Sequence, residues 1–230
     1  MSGGPGRSIL RHLLPAVVAT GLLAGCTWLF VPPYEKLRDL YYVDDFEHDN
    51  IWGQYDVGAD EGFPIELQPG GGYLLFLAPL QSISPHEAWG GPLEVDVFWS
   101  VTIGNAVPPD PQPVPIVGYP DFRIQFNRSG VYAELNLYED GVDSLSIHEE
   151  DGSLLAGPVT MPTLYRTEGQ LSVEYVPFGL GAGLYARAPR QGLELSTAID
   201  SSLGDTKLTF WVSGTWDDPR ALEAIYVYGE

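Results

Sequence analysis

The stretch PLEVDVFWSVTIG, residues 92–104, limits what this chain can fold into more than any other. Leu93, Val95, Val97, Trp99, Val101 and Ile103 fall on one side of an extended backbone, and Glu94, Asp96, Phe98, Ser100 and Thr102 on the other. An unbroken alternation of this length predicts a half-buried strand, because a helix would spread the same residues around its circumference. Such a strand needs a sheet around it and a second layer over its apolar face.

The alternation returns twice in quick succession. DFRIQFN sets Phe122, Ile124 and Phe126 against Arg123, Gln125 and Asn127. VYAELNLY sets Val131, Ala133, Leu135 and Leu137 against Tyr132, Glu134, Asn136 and Tyr138. Arg128-Ser129-Gly130 between them reads as a tight hairpin connection. Further strands are predicted at 142–148, 170–176, 183–187, 193–199, 207–212 and 222–228, with turn signals such as Glu139–Gly141 and Glu149–Gly152 between them. No amphipathic helix follows residue 42. About ten to twelve strands in one domain imply two packed sheets, so the expected fold is an all-β antiparallel sandwich. The 27 glycines and 20 prolines suit its turns. Val107–Pro120, rich in proline, reads as a stiff rim loop.

The N-terminus states an address. Arg7, Arg11 and His12 form a basic start, and Leu13–Leu23 is an apolar run too short to span a membrane. Leu23-Ala24-Gly25-Cys26 follows and contains the only cysteine. This order resembles the signal peptide and lipobox of bacterial lipoproteins. The resemblance implies removal of residues 1–25, lipidation (palmitate) of Cys26, and a membrane anchor made of acyl chains. Thr27, where no Asp stands, implies the outer membrane in a cell with two membranes. Residues 26–42 are then the lipidated N-terminus and a tether, with one helical turn expected at Tyr34–Leu40. Residues 43–230 are the sandwich.

Charge excludes one partner class. Asp and Glu number 31 against 11 Lys and Arg, a formal charge of −20, and Lys36 and Lys207 are the only lysines. Phosphate backbones need clustered cations, so nucleic acid is not a partner.

VDDFEHDNIWGQYDV at the start of the domain and TKLTFWVSGTWDDPRALEAIYVYGE at its end resemble the opening and closing strands of concanavalin A-like lectin/glucanase sandwiches. The resemblance implies a jelly-roll of two curved sheets, one of which often binds or cuts glycans. Family 16 glycoside hydrolases on that fold carry two glutamates and an aspartate on one strand. Here Glu94 and Asp96 match, but Phe98, Trp99 and Ser100 occupy the place of the second glutamate. A retaining mechanism needs both carboxyl groups, so the reading favours a protein that is not an enzyme. Calcium is the one cofactor to weigh, with Asp44, Asp45 and Asp49 as its candidate ligands. His48, His86 and His148 have no near partner in sequence for a zinc site.

A surface argument supplies the candidate binding face. Arg123, Gln125, Asn127, Tyr132, Glu134, Asn136 and Tyr138 point outward from two neighbouring strands, and Trp211 joins them if its strand lies in the same sheet. Flat aromatics mixed with amides and charges suit the CH faces and hydroxyls of sugars. The expectation is a membrane-anchored lipoprotein whose lectin-like sandwich binds glycan or another envelope partner. The alternatives are a diverged glycan hydrolase or lyase and a structural envelope protein that binds only protein.

Overall fold

A computed structural model describes residues 39–47, 53–58, 65–68, 72–101, 118–139, 141–163, 168–178, 181–199, 205–215 and 218–229. Cys26 and its leader, Asp49, and residues 102–117 of the proline-rich region lie outside them, as does the side chain of Tyr138. All described residues belong to one compact unit, Arg38–Glu230.

In chain order the strands are β1 (Asp39–Asp44), β2 (Tyr55–Gly58), β3 (Glu66–Gln68), β4 (Tyr73–Phe76), β5 (Gln81–Pro85), β6 (Leu93–Ser100), β7 (Phe122–Phe126) and β8 (Tyr132–Glu139). They continue as β9 (Val142–His148), β10 (Leu154–Pro162), β11 (Glu168–Phe178), β12 (Gly181–Ala188), β13 (Leu193–Ile199), β14 (Leu208–Val212) and β15 (Arg220–Gly229). An eight-stranded antiparallel sheet runs β13-β12-β11-β6-β15-β4-β3, with β1 also paired to β15. A seven-stranded antiparallel sheet runs β10-β9-β8-β7-β14-β5-β2. Among the described residues there is no helix. The all-β two-sheet sandwich is therefore what the chain forms.

The alternation does its work where expected. In β6, Leu93, Val95, Val97 and Trp99 enter the core. In β7, Phe122, Ile124 and Phe126 do the same from the other sheet. Trp99 and Phe122 meet between the sheets, stacked at 4.9 Å and 22°. Gly169, paired with Trp99 across the ladder, is required here because a Cβ at that position would overlap the indole. The hairpin between β7 and β8 closes through Gly130 N–H to Phe126 O at 2.9 Å, and φ of +69° at Gly130 explains the glycine. The edge strands β10 and β13 of the two sheets pack together and close one side of the sandwich.

Two expectations need correction. Asp39 and Leu40, read as the end of a helical turn, open β1 and pair with Gly229 and Tyr228. Pairing to the last strand outweighs the weak helical tendency of an isolated turn. There are also more strands than expected, since β2 to β5 and β10 lack clean alternation. In β4 (YLLF) Leu74 and Phe76 face the core while Leu75 joins a small cluster with Leu77 and Ala221, so both sides are apolar. β10 contains Gly157, Pro158 and Pro162, and it tolerates them as an irregular edge strand.

Charge is buried at one end of the sandwich. Arg220 is fully buried, and its Nε donates to Asp121 Oδ1 at 2.8 Å while Nη1 meets Asp218 Oδ1 at 2.7 Å. Asp121 Oδ2 also accepts Leu137 N–H at 2.7 Å. The cluster thus ties β15 of one sheet to β7 and β8 of the other. Burial pushes the Asp121 carboxyl up to about 6, against the opposing pull of Arg220 and the Leu137 N–H.

Candidate functional site

The outward residues of the seven-stranded sheet form two adjacent rows across five strands. Ser82, Trp211, Arg123, Glu134 and Ser146 stand in register in one row. The other row runs through Thr209, Gln125, Tyr132 and His148, with Ser84 hydrogen-bonded to Thr209 at 2.6 Å. The period-two pattern produces this grouping, because β14 inserts beside β7 and brings Trp211 opposite Arg123. Asn127 lies at the end of the second row, where its Oδ1 accepts from Thr209 Oγ1 at 3.0 Å. Asn136 is half-buried further along β8.

The face is held rigidly. Arg123 Nη2 donates to Glu134 Oε1 at 3.1 Å, and its guanidinium carbon lies 4.1 Å from the Tyr132 ring centroid. The His148 ring stacks on Tyr132 at 5.2 Å and 11°. Arg123 comes from β7 and His148 from β9, the strands on either side of β8, so Tyr132 is packed between them. Only 6% of it is exposed, and burial pushes its phenol up. Tyr132 is therefore a structural member of the stack and offers no platform to a ligand. Trp211 differs. Its Nε1–H donates to Gln125 Oε1 at 3.0 Å, which fixes the indole on the face, and the residue is only partly buried. The guanidinium of Arg123 lies 6.0 Å from it.

Sequence reasoning missed His148 as a member of this face. The signal was available, since residues 144, 146 and 148 alternate outward in β9. His148 Nε2 is 2.8 Å from Ser146 Oγ and 4.0 Å from Glu134 Oε1, and Nδ1 is 3.2 Å from Gly152 O.

Glu94 and Asp96 lie on the outer face of the other sheet. Phe98, in the place of the missing glutamate, packs edge-on against Tyr226 at 5.6 Å. A carboxylate absent from the β6 pattern does stand nearby, because Glu174 of β11 is directly opposite Glu94. Arg187 lies between them, with Nη2 2.9 Å from Glu94 Oε1 and 3.5 Å from Glu174 Oε2. One guanidinium thus bridges both carboxylates, which occupies the pair that a glycosidase would turn to its substrate. Asp96 accepts from Ser172 Oγ. These groups form an ion-pair clamp across β6, β11 and β12.

Asp44 does not offer a cation cage. Its Oδ1 accepts Phe46 N–H at 2.8 Å and its Oδ2 accepts Tyr55 O–H at 2.8 Å. Phe46 has φ of +54°, and the Asp44 contact caps that strained turn. Burial pushes the Tyr42 and Tyr55 phenols up, and their hydroxyls are 2.6 Å apart. Asp45 Oδ1 accepts Glu47 N–H at 3.3 Å. Asp49, the third candidate ligand, lies outside the described residues, and among the described residues no group of three or more His, Cys, Asp or Glu is arranged for a metal.

No family model matches the sequence, and no curated protein matches it. Solved structures do resemble it. The VIP36 exoplasmic/lumenal domain in its Ca2+/Man-bound form is 11% identical with a TM-score of 0.53, over 84% of this chain and 92% of that one. A legume lectin-like domain from Entamoeba histolytica is 9% identical with a TM-score of 0.53, over 78% and 92%. A xylan beta-1,4-xylosidase from Bacillus halodurans is 13% identical with a TM-score of 0.54, over 87% of this chain but 41% of that enzyme. At these identities the likeness shows the fold: the chain has the legume-lectin-like, concanavalin A-like β-sandwich.

Proposed function

We propose that this chain is a lipid-anchored envelope protein whose sandwich binds glycan on the outer face of the seven-stranded sheet, with Trp211 as the stacking platform. One observation carries the reading: the fold gathers Trp211, Arg123, Gln125, Asn127 and Glu134 from three strands onto one face and fixes the indole through Gln125. An indole held in place loses little entropy when a pyranose stacks on it. Arg123 and Glu134, each with hydrogen-bonding capacity beyond their mutual contact, supply directional bonds to hydroxyls. The fold shared with VIP36, a protein solved with Ca2+ and Man, supports a sugar ligand. Calcium enters only as a condition of the assay, since Asp44 and Asp45 are engaged with the protein itself. The clamp at Arg187 speaks against the hydrolase alternative.

The test is a glycan array with the domain from residue 39 onward, with and without calcium. Trp211→Ala is expected to weaken binding of any glycan found by about tenfold, without changing the melting temperature by more than a few degrees. Binding to no glycan in either condition would sink the reading.

The anchor is a separate part of the proposal. Cys26 carries the lipid that holds the protein in the membrane, the outer one if the cell has two. Metabolic labelling with palmitate is expected to mark the full chain and to disappear in Cys26→Ser. Label retained in that variant refutes the anchor.

A further inference from the structure

The opposite face of the sandwich carries a second flat aromatic surface. Tyr185 points outward from β12 of the eight-stranded sheet, and 43% of it remains exposed. It lies two residues from Gly183 on the same strand, hence on the same side of the sheet. A Cβ built on Gly183 would come within 2.9 Å of Tyr185 Cε2 and 3.4 Å of both Cζ and the hydroxyl oxygen. The outer half of the ring therefore occupies the space that any larger residue at 183 would need. The side chain leans along its own strand over Gly183, and much of it stays open to solvent. Side chains on a strand stand roughly perpendicular to the sheet, and glycine at 183 is what lets this one lean over its own strand.

The neighbours of this ring are polar and fixed. Glu174 and Ser196 stand directly across the two ladders from Tyr185. Arg187, next outward on the same strand, is held by Glu94 at 2.9 Å and Glu174 at 3.5 Å. The clamp fixes a guanidinium and a carboxylate on the same outer face as Tyr185, with side-chain exposures of 35% for Arg187 and 28% for Glu174.

We propose that Tyr185, Arg187, Glu174 and Ser196 form a second carbohydrate site, on the sheet face opposite Trp211, for an uncharged pyranose. The ring takes the CH face of the sugar, and the clamped pair takes adjacent hydroxyls. An uncharged ligand follows from the local balance. Arg187 is already shared by two carboxylates, and the chain as a whole carries a formal charge of −20. An anionic sugar would meet the two carboxylates that already share Arg187. The two sites would face opposite directions, so one domain can hold two segments of a polysaccharide and gain avidity without further contacts.

The inference extends the lectin reading but does not depend on Trp211. Titration calorimetry would use uncharged hexasaccharides of β-1,4-glucose, β-1,3-glucose, β-1,4-xylose and β-1,4-mannose. Wild-type domain is expected to bind two molecules of the favoured oligosaccharide, and Tyr185→Ala one. Gly183→Ala is the companion variant, because it lifts the ring off the sheet while keeping it, and only a flexible side chain has to move. It is expected to lose the same site with the melting temperature intact. Trp211→Ala should leave the Tyr185 site bound, and the double variant should keep only the first site, weakened about tenfold. A wild-type stoichiometry of one that neither Tyr185→Ala nor Gly183→Ala changes overturns the second site and leaves the first. Loss of all binding in Tyr185→Ala, with none in Trp211→Ala, supports this site and overturns the first. Binding to none of the sugars overturns the second site, while the first stands or falls on the array.

Discussion

Arg220→Ala is expected to cost about 3–5 kcal/mol of folding stability at pH 7, the usual consequence of removing one partner of a buried ion pair. Arg220 is fully buried and is the cation between Asp121 and Asp218. Without it, two carboxyl groups share a desolvated space. The cost has a predictable dependence on pH. The Asp121 carboxyl is already pushed up to about 6 by burial, above its ordinary value of 3.8. The folded protein therefore holds this proton more tightly than the unfolded chain does. The stability linked to it is complete below about pH 4 and is lost as pH rises through 6, a difference of about 3 kcal/mol. Removing Arg220 raises the carboxyl further, so the variant's deficit should shrink on acidification from pH 7 to pH 4.5. Urea titrations at both pH values read this directly. Asp121→Asn serves as the control, because it abolishes the titration. A deficit that grows in acid would contradict the burial argument.

The second large effect belongs to Trp99. Trp99→Ala should cost about 3–5 kcal/mol, as for other large aromatics removed from a packed core. The indole is fully buried and is stacked on Phe122 of the opposite sheet, so the cavity would open between the layers. Relaxation into it is restricted, because β6 is paired on both sides, to β11 and to β15. Trp99→Phe should cost clearly less. Its Nε1–H is buried with no hydrogen-bond partner, so phenylalanine removes a desolvated donor as well as some packing. The measurement is the urea midpoint at constant m value. Equal losses for Ala and Phe would mean that the indole's packing is not what matters.

Period-two alternation made much of this molecule readable in advance. It assigned β6 to β9 and β13, and for β6, β7 and β8 it also assigned the inward and outward sides. It also put Arg123, Gln125, Tyr132, Glu134 and Asn136 on one surface. What it could not give is lateral order, because pairing partners are chosen by long-range packing and not by local period. Trp211 could be joined to the face only once β14 was found beside β7. The pairing of Glu94 with Glu174 and Arg187 was hidden for the same reason, since 80 and 93 residues separate groups that touch. Tyr132 failed in a different way. Its outward position was right, but Arg123 and His148 pack against the ring, and the sequence does not record how side chains lie on one another. The short strands β2 to β5 were missed because burial on both sides, or too few residues, erases the alternation.

The pairing of β1 with β15 has a mechanical consequence. The described chain begins at Asp39, which stands opposite Gly229, and the ladder runs on to Asp44 opposite Ile225. A pull on the backbone ahead of Asp39, directed along the strand, is therefore shared by the whole set of β1–β15 hydrogen bonds at once. The far end has its own stop, where Asp44 is gripped by Tyr55 and by the Phe46 backbone. Loaded in this direction, the sandwich resists as a sheared ladder. Pulled sideways from the same point, it would open one bond at a time. The strength of the domain under tension is thus set by the angle at which force reaches its first strand.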